Sequence, residues 1–292
     1  MSPMRTTQFL AIGAAVVLAA AAAPSFAAQT ALQGAFALPG VTGKATAELV
    51  VRETGPLTRE LLIAFSDKAT GRPITQFDQE LTQELHVLGT DSGFSSFVHE
   101  HAARLGPDGR FRVAMRFPKP GTYHVYADAV PSGLGQQVVR FTVPVGVAAS
   151  PADSPRAPAA GPQGSNGPYA VELDASALRA GTEGIVALTI LKDGAPAKDL
   201  GLYLGVPAHA VFVNTDDLAY VHAHAMAADA AHGGHARHES HGAHGARKAA
   251  IPARLVLHAT PPRAGRYALW IQFMGGGRVR TVPFVITVAA AP

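Results

Sequence analysis

Pro120-Gly121-Thr122-Tyr123 and Ala264-Gly265-Arg266-Tyr267 open two stretches with one pattern: Gly-x-Tyr, then a run in which apolar side chains alternate with others. Alternation at every second residue marks a β-strand with one face turned inward. Working outward, Phe111–Tyr126 aligns without a gap onto Leu255–Trp270, at an offset of 144 residues. Upstream, Gly71–Ala102 aligns onto Gly194–Ala225 at an offset of 123. The second copy therefore carries 21 extra residues between the two blocks. A segment that tolerates such an insertion belongs on the surface. One domain is written twice.

The remaining periodicity is that of short strands. Thr46–Val51, Glu60–Phe65, Phe111–Phe117 and Tyr123–Val130 read as strands in the first half. Ala170–Leu173, Gly184–Leu191, Arg254–Ala259 and Tyr267–Phe273 do so in the second. Short strands separated by Gly/Pro-rich turns indicate a sandwich or barrel. The two Gly-x-Tyr strands resemble the tyrosine corner of immunoglobulin-like sandwiches, in which the phenol bonds back to nearby backbone. The expected fold is all-β, with two tandem immunoglobulin-like (Greek-key) β-sandwich domains. A Pro/Ala/Gly-rich linker over residues 147–168 joins domain 1 (residues 28–146) to domain 2 (169–292), whose His-rich loop covers 226–250. With no Cys-Trp-Cys core, these are not antibody-type domains.

The first 27 residues read as a secretory signal. Arg5 supplies the positive start, Phe9–Ala23 is apolar apart from Gly13, and Ser25-Phe26-Ala27 fits the small-x-small cleavage rule. An exported, periplasmic chain beginning at Ala28 is the expectation, with no membrane span after cleavage. There is no cysteine, which excludes disulfides and thiolate metal sites alike. The formal net charge is only +3 and no basic block or stripe occurs, so nucleic acid is not an expected partner.

Histidine carries the chemistry. His86, His99 and His101 recur 123 positions later as His209, His222 and His224, and Pro73 and Pro196 stand thirteen residues before the first histidine of each copy. The intervening residues read as a hairpin whose loop is Asp91-Ser92-Gly93-Phe94 in one copy and Asn214-Thr215-Asp216-Asp217 in the other. That loop sets His86 opposite His99 and His209 opposite His222, at roughly 4.5–5.5 Å between Cβ atoms. The third histidine of each copy, two residues further on, points the same way. Three imidazoles on one face suit metal–nitrogen bonds of about 2.0–2.1 Å. His222-Ala223-His224-Ala225-Met226 adds a thioether, a soft ligand suited to Cu(I), while imidazole accepts Cu(II), zinc or nickel. Phe97, Tyr220, Val211, Val213 and Leu218 share the histidine face, so a structural role for these histidines stays open.

The insertion itself holds His232, His235, His238, His241 and His244 at three-residue spacing in a Gly/Ala-rich, low-complexity tract. Such a segment suits loose, multi-ion, pH-sensitive capture, because imidazole must be neutral to coordinate. His124, Tyr126 and Asp128, matched by Ala268, Trp270 and Gln272, read as exposed sheet positions. No nucleophile elbow or paired carboxylates appear, so no enzyme is expected.

Phe97-Val98-His99-Glu100-His101 and Tyr220-Val221-His222-Ala223-His224, each followed by a Gly-x-Tyr strand, resemble exported bacterial immunoglobulin-like domains of the YtkA-like kind. The resemblance implies periplasmic residence and makes metal handling the expected role, without naming an ion. The reading is a periplasmic, non-enzymatic copper or zinc protein for sequestration or delivery, with a periplasmic transporter or acceptor as its protein partner. The rival is an immunoglobulin-like interaction or scaffold module with structural histidines.

Overall fold

The structure, a computed structural model, describes residues 29–146, 161, 163–228 and 250–292. The expected leader and the five histidines of the tract lie outside the described residues. Among those described, the chain is all-β, and no helix is long and apolar enough to cross a membrane. The first half contributes β1 (Gln29–Gln33), β2 (Ala35–Phe36), β3 (Ala45–Gly55), β4 (Thr58–Asp67), β5 (Phe77–Asp78), β6 (Leu85–Asp91), β7 (Phe97–Ala102), β8 (Phe111–Arg116), β9 (Gly121–Pro131) and β10 (Gln137–Val145). The second half contributes β11 (Gln163–Asn166), β12 (Tyr169–Asp174), β13 (Gly184–Lys192), β14 (Ala195–Pro196), β15 (Leu200–Gly201), β16 (Ala208–Asn214), β17 (Tyr220–Ala227), β18 (Arg254–Ala259), β19 (Gly265–Gly275) and β20 (Arg278–Val288). Residues 163–166, which the composition assigns to the linker, form an edge strand against β12 instead. The turn at Gly167, in the left-handed region at φ 61°, folds that strand back onto β12.

Each half is a sandwich of antiparallel sheets in a Greek-key order. In domain 1, β1-β3-β4-β8 face β2-β10-β9-β6-β7. Domain 2 repeats the arrangement with β12-β13-β18 and β17-β16-β19-β20, and its two sheets join where β17 pairs β18 at Ala225–Leu257 to Ala227–Leu255. Both tyrosine corners form. The Tyr123 hydroxyl donates to the Lys119 carbonyl and the Tyr267 hydroxyl to the Arg263 carbonyl, each at 2.9 Å. These phenols tie the entry of β9 and β19 to the preceding turn, as in other immunoglobulin-like sandwiches.

Burial along the strands separates the two kinds of sheet face. In β8, Phe111, Val113 and Met115 point into the core while Arg112, Ala114 and Arg116 point to solvent. That alternation is the signature of a sheet wet on one side. In β6 and β16 every residue is buried. One face of each packs on its own domain's core, which gathers Leu85 and Val87 in one case and Ala210 and Phe212 in the other. The opposite faces meet each other. Leu88, Tyr126 and Val138 of domain 1 pack with Val211, Val213, Tyr220, Ala268 and Trp270 of domain 2 in a third apolar cluster, between the domains.

That junction follows the internal repeat. Phe97 stacks on Trp270 at 4.8 Å between ring centroids, and Tyr126 stacks on Tyr220 at 4.9 Å. By the alignment Phe97 corresponds to Tyr220 and Tyr126 to Trp270, so each stack is the counterpart of the other. The surface is self-complementary in the manner of a twofold dimer interface, here within one chain. Tyr126, Asp128, Trp270 and Gln272, expected as exposed positions, are buried for this reason. Aromatic pairs of this kind are worth about 0.5–1.5 kcal/mol beyond the area they bury.

Candidate metal centre

The hairpins β6–β7 and β16–β17 bring the histidines to the junction, in a register two residues from the expected one. Thr90 pairs with Phe97, His86 with His101, and Leu88 with His99. In the second copy His209 pairs with His224 and Val211 with His222. The expected four-residue loops are six residues long. In the first, the Asp91 carboxylate accepts from the backbone N–H groups of Gly93, Ser95 and Ser96, and Phe94 takes a positive φ of 56°. In the second, Asn214 Oδ1 accepts from the N–H groups of Asp216 and Asp217, and Leu218 takes φ 63°. A side chain at the loop's base thus supports a wider turn. A shift of two residues preserves strand parity, so all three histidines of each copy still share a face.

The six imidazoles form one cluster across the junction. Within the copies, His86 Nδ1 lies 3.4 Å from His99 Nε2, and His209 Nδ1 lies 3.2 Å from His222 Nε2. His101 adjoins His99 at 4.3 Å between centroids, and His224 adjoins His222 at 4.7 Å. Between copies, the centroids of His99 and His222 are 5.7 Å apart, those of His86 and His222 5.3 Å, and those of His99 and His209 5.9 Å. His86, His99, His209 and the His222 side chain are buried, whereas His101 and His224 are half-buried.

Hydrogen bonds fix the tautomers. Nε2 of His86 faces the Glu80 carbonyl at 3.3 Å, and Nε2 of His209 faces the Tyr203 carbonyl at 3.0 Å. A carbonyl only accepts, so both Nε2 atoms carry the proton and both Nδ1 atoms present lone pairs. His99 Nδ1 donates to Gln272 Oε1 at 2.7 Å, while Gln272 Nε2 is committed to the Thr281 hydroxyl. His222 Nδ1 donates to Asp128 Oδ2 at 3.3 Å, and Asp128 also accepts from the Tyr220 hydroxyl and from Gln136. The Nε2 atoms of His99 and His222 are therefore lone pairs too. In each copy two lone pairs point at one another across 3.2–3.4 Å. Two nitrogens bound to one tetrahedral ion at about 2.0–2.1 Å stand about 3.3–3.4 Å apart. The third imidazole of each copy is consistent with this picture, since Nε2 of His101 and Nε2 of His224 are buried without a partner. Buried polar atoms of native proteins are rarely left so.

The electrostatics keep the ligands neutral. Burial, reinforced by neighbouring imidazoles, holds His209 down at about 2 and His101 and His224 at about 3. His99 and His222 lie well below the usual range for the same reasons, and His86 is lowered by burial against the pull of Asp128. Burial and the adjacent Asp128 raise Glu80 to about 7. Asp128 is pushed up by burial, and its hydrogen bonds from Gln136 and Tyr220 pull it back. Neutral imidazoles beside the buried Asp128 and the half-buried Glu80 carboxyl gather the donors of a cation site.

Three groups of side chains bring one donor each to within 4.8 Å of one another: His86, His99 and His222; His209, His222 and His224; and Glu80, Asp128 and His222. Five of the predicted ligands fall in these groups, and His101 lies beside them. Met226 lies one residue before the end of β17, paired with Val256 and 42 % exposed. Glu80, Asp128, Gln272 and Tyr203 were not singled out as site residues. The signal was present for two of them, since Asp128 and Gln272 occupy equivalent alternating positions on β9 and β19. A cleft between the domains, lined by Leu38, Val41, Gln136, Gly181, Tyr220 and His222, runs alongside β17, where the His222 imidazole itself is fully buried.

One protein-family model matches the chain twice, over residues 41–146 and 163–290, and is described as a domain of unknown function (DUF8832). The two matches coincide with the two sandwiches. No curated protein matches the chain.

Proposed function

For a chain that belongs to the DUF8832 family through both of its halves, we propose transition-metal binding at the six-histidine junction between the domains. The observation that carries the reading is the pair of converging lone pairs, His86 with His99 and His209 with His222, at the spacing of two ligands on one ion. Imidazole with carboxylate and no thiolate suits zinc, Cu(II) or nickel. Each inner imidazole has an outer partner that sets its tautomer, as metal-binding histidines generally do. His209, His222 and His224 form the better-defined site, with Asp128 and Glu80 beside it.

The biological role proposed is sequestration or delivery of copper or zinc, without catalysis, in the periplasm. The leader-like residues 1–27 and the resemblance to YtkA-like domains support that setting, and the histidine tract supports a capture step that feeds the ordered site. The buried aromatic stacks between the domains favour a second reading, a tandem scaffold whose histidines are structural. Metal uptake by the full, untagged chain separates the two. Equilibrium dialysis against zinc, copper and nickel should leave ions on the chain, and fewer on the His222→Ala/His224→Ala double variant. No uptake at micromolar metal would leave only the scaffold reading.

A further inference from the structure

We propose that the junction is a two-ion centre, in which the imidazoles of each copy hold their own divalent cation and the two positions bind with unequal strength. The proposal rests on the metal reading above. The convergence of lone pairs occurs twice, and each instance has its own unpartnered third nitrogen, Nε2 of His101 or of His224. The donors also divide. His86 and His99 group with His222, and His209 and His224 group with His222, so the two sets share that residue alone. Since Nδ1 of His222 is committed to Asp128, only its Nε2 is free for a cation. That atom faces His209 at 3.2 Å. It therefore belongs to the second-copy position, which leaves His86 and His99 as the core of the first-copy position, with the His101 ring adjoining them at 4.9 and 4.3 Å between centroids.

The inequality comes from the residues that the repeat does not preserve. Asp128 is the cross-strand neighbour of His86, but among the described residues the only imidazole it hydrogen-bonds is that of His222, with which it and Glu80 form a donor group. Glu80 Oε1 stands 3.9 Å from His224 Nε2. The equivalent positions in the other copy are Gln272 and Tyr203, both neutral, and His99 is oriented by Gln272 rather than by a carboxylate. A carboxylate behind an imidazole raises its basicity as a ligand. The first ion therefore enters the His209–His222–His224 position. Its charge then opposes the second ion, because imidazoles of the two sets lie only 5.3–5.9 Å apart between centroids and like charges in one buried cluster repel.

Stoichiometric titration tests the proposal on a full, untagged chain lacking only residues 229–249, so that the tract contributes no ions. Cobalt(II), followed by its ligand-field absorption, and zinc(II), followed calorimetrically, should each show two steps per chain. His86→Gln should remove the weaker step alone, and His209→Gln the tighter step alone. Asp128→Asn should weaken the tighter step by about 10–100-fold, the range for loss of an outer partner. Where either buried variant fails to fold, His101→Gln and His224→Gln give the same readout at half-buried positions. Two Cu(II) ions bound together should broaden each other's electron paramagnetic resonance. A single equivalent, lost alike in the first-copy and second-copy variants, would mean one shared ion and would overturn the two-ion centre with metal binding intact. No uptake at all would remove the metal reading itself.

Discussion

The two histidine hairpins have the same backbone and different surroundings. In both, the first imidazole bonds a carbonyl six residues upstream, that of Glu80 or Tyr203, and faces the second across 3.2–3.4 Å. What differs is the group that the opposite domain supplies. His222 of domain 2 is oriented by Asp128 of domain 1, whereas His99 of domain 1 is oriented by Gln272 of domain 2. Duplication gave the chain two equal halves, and the docking of one on the other made each half part of its partner's site. The halves differ in charge at two equivalent positions beside the histidines, Asp128 against Gln272 and Glu80 against Tyr203.

Breaking the junction should erase that comparison most completely. Trp270 is buried and stacked on Phe97, so Trp270→Ala should cost about 3–5 kcal/mol of stability, measured by urea unfolding. If the ordered site is built from both domains, the same variant should also lose metal affinity. Retained affinity would mean that one hairpin suffices. Next in size is the pair Asp128→Asn and Gln272→Ala. The first should lower affinity for zinc by about 10–100-fold and the second by less, because only Asp128 sets a charge behind its histidine. Equal losses would show that charge does not distinguish the halves.

A smaller effect is expected from pH. Burial lowers all six imidazoles, so below the unfolded value of about 6.5 the unfolded chain binds protons that the folded chain refuses. The metal-free protein should lose stability as pH falls from about 6.5 toward 3, the value at which His101 and His224 are held. Glu80, raised to about 7, works in the opposite sense and offsets part of the loss. Urea midpoints at pH 7 and pH 5 should therefore fall with acidity, and adding zinc should widen the gap. A midpoint that does not change would show that the histidines are not held neutral by folding.

Much of the fold is legible in the residues. The Gly-x-Tyr strands mark both corners because the phenol must bond back to a turn of fixed length. The duplication places the second sandwich once the first is found. The His-x-His segments declare a shared face because side chains alternate strictly along a strand. The register was less legible. Asp91 and Asn214 widen their loops by accepting backbone N–H groups, and turn-rich composition does not count such bonds. The apolar companions Phe97, Tyr220, Val211, Val213 and Leu218 signal that the histidine face can be buried, but not that a second domain buries it. Periodicity reports how many faces of a strand are apolar and says nothing of which surface covers them. The roles of Asp128 and Gln272 are hidden from the sequence for that reason, since each lies in the histidine it meets across the junction.

The most direct measurement is X-ray absorption on the zinc-loaded chain from which residues 229–249 have been removed. The deletion gives the second copy the connection length of the first and leaves only the junction histidines clustered. The expected result is bound zinc with a shell of nitrogen and oxygen, at about 2.0–2.2 Å, carrying the multiple-scattering pattern of at least three imidazoles. A shortened chain that folds and binds no zinc would show instead that the junction histidines serve only to hold the two domains together.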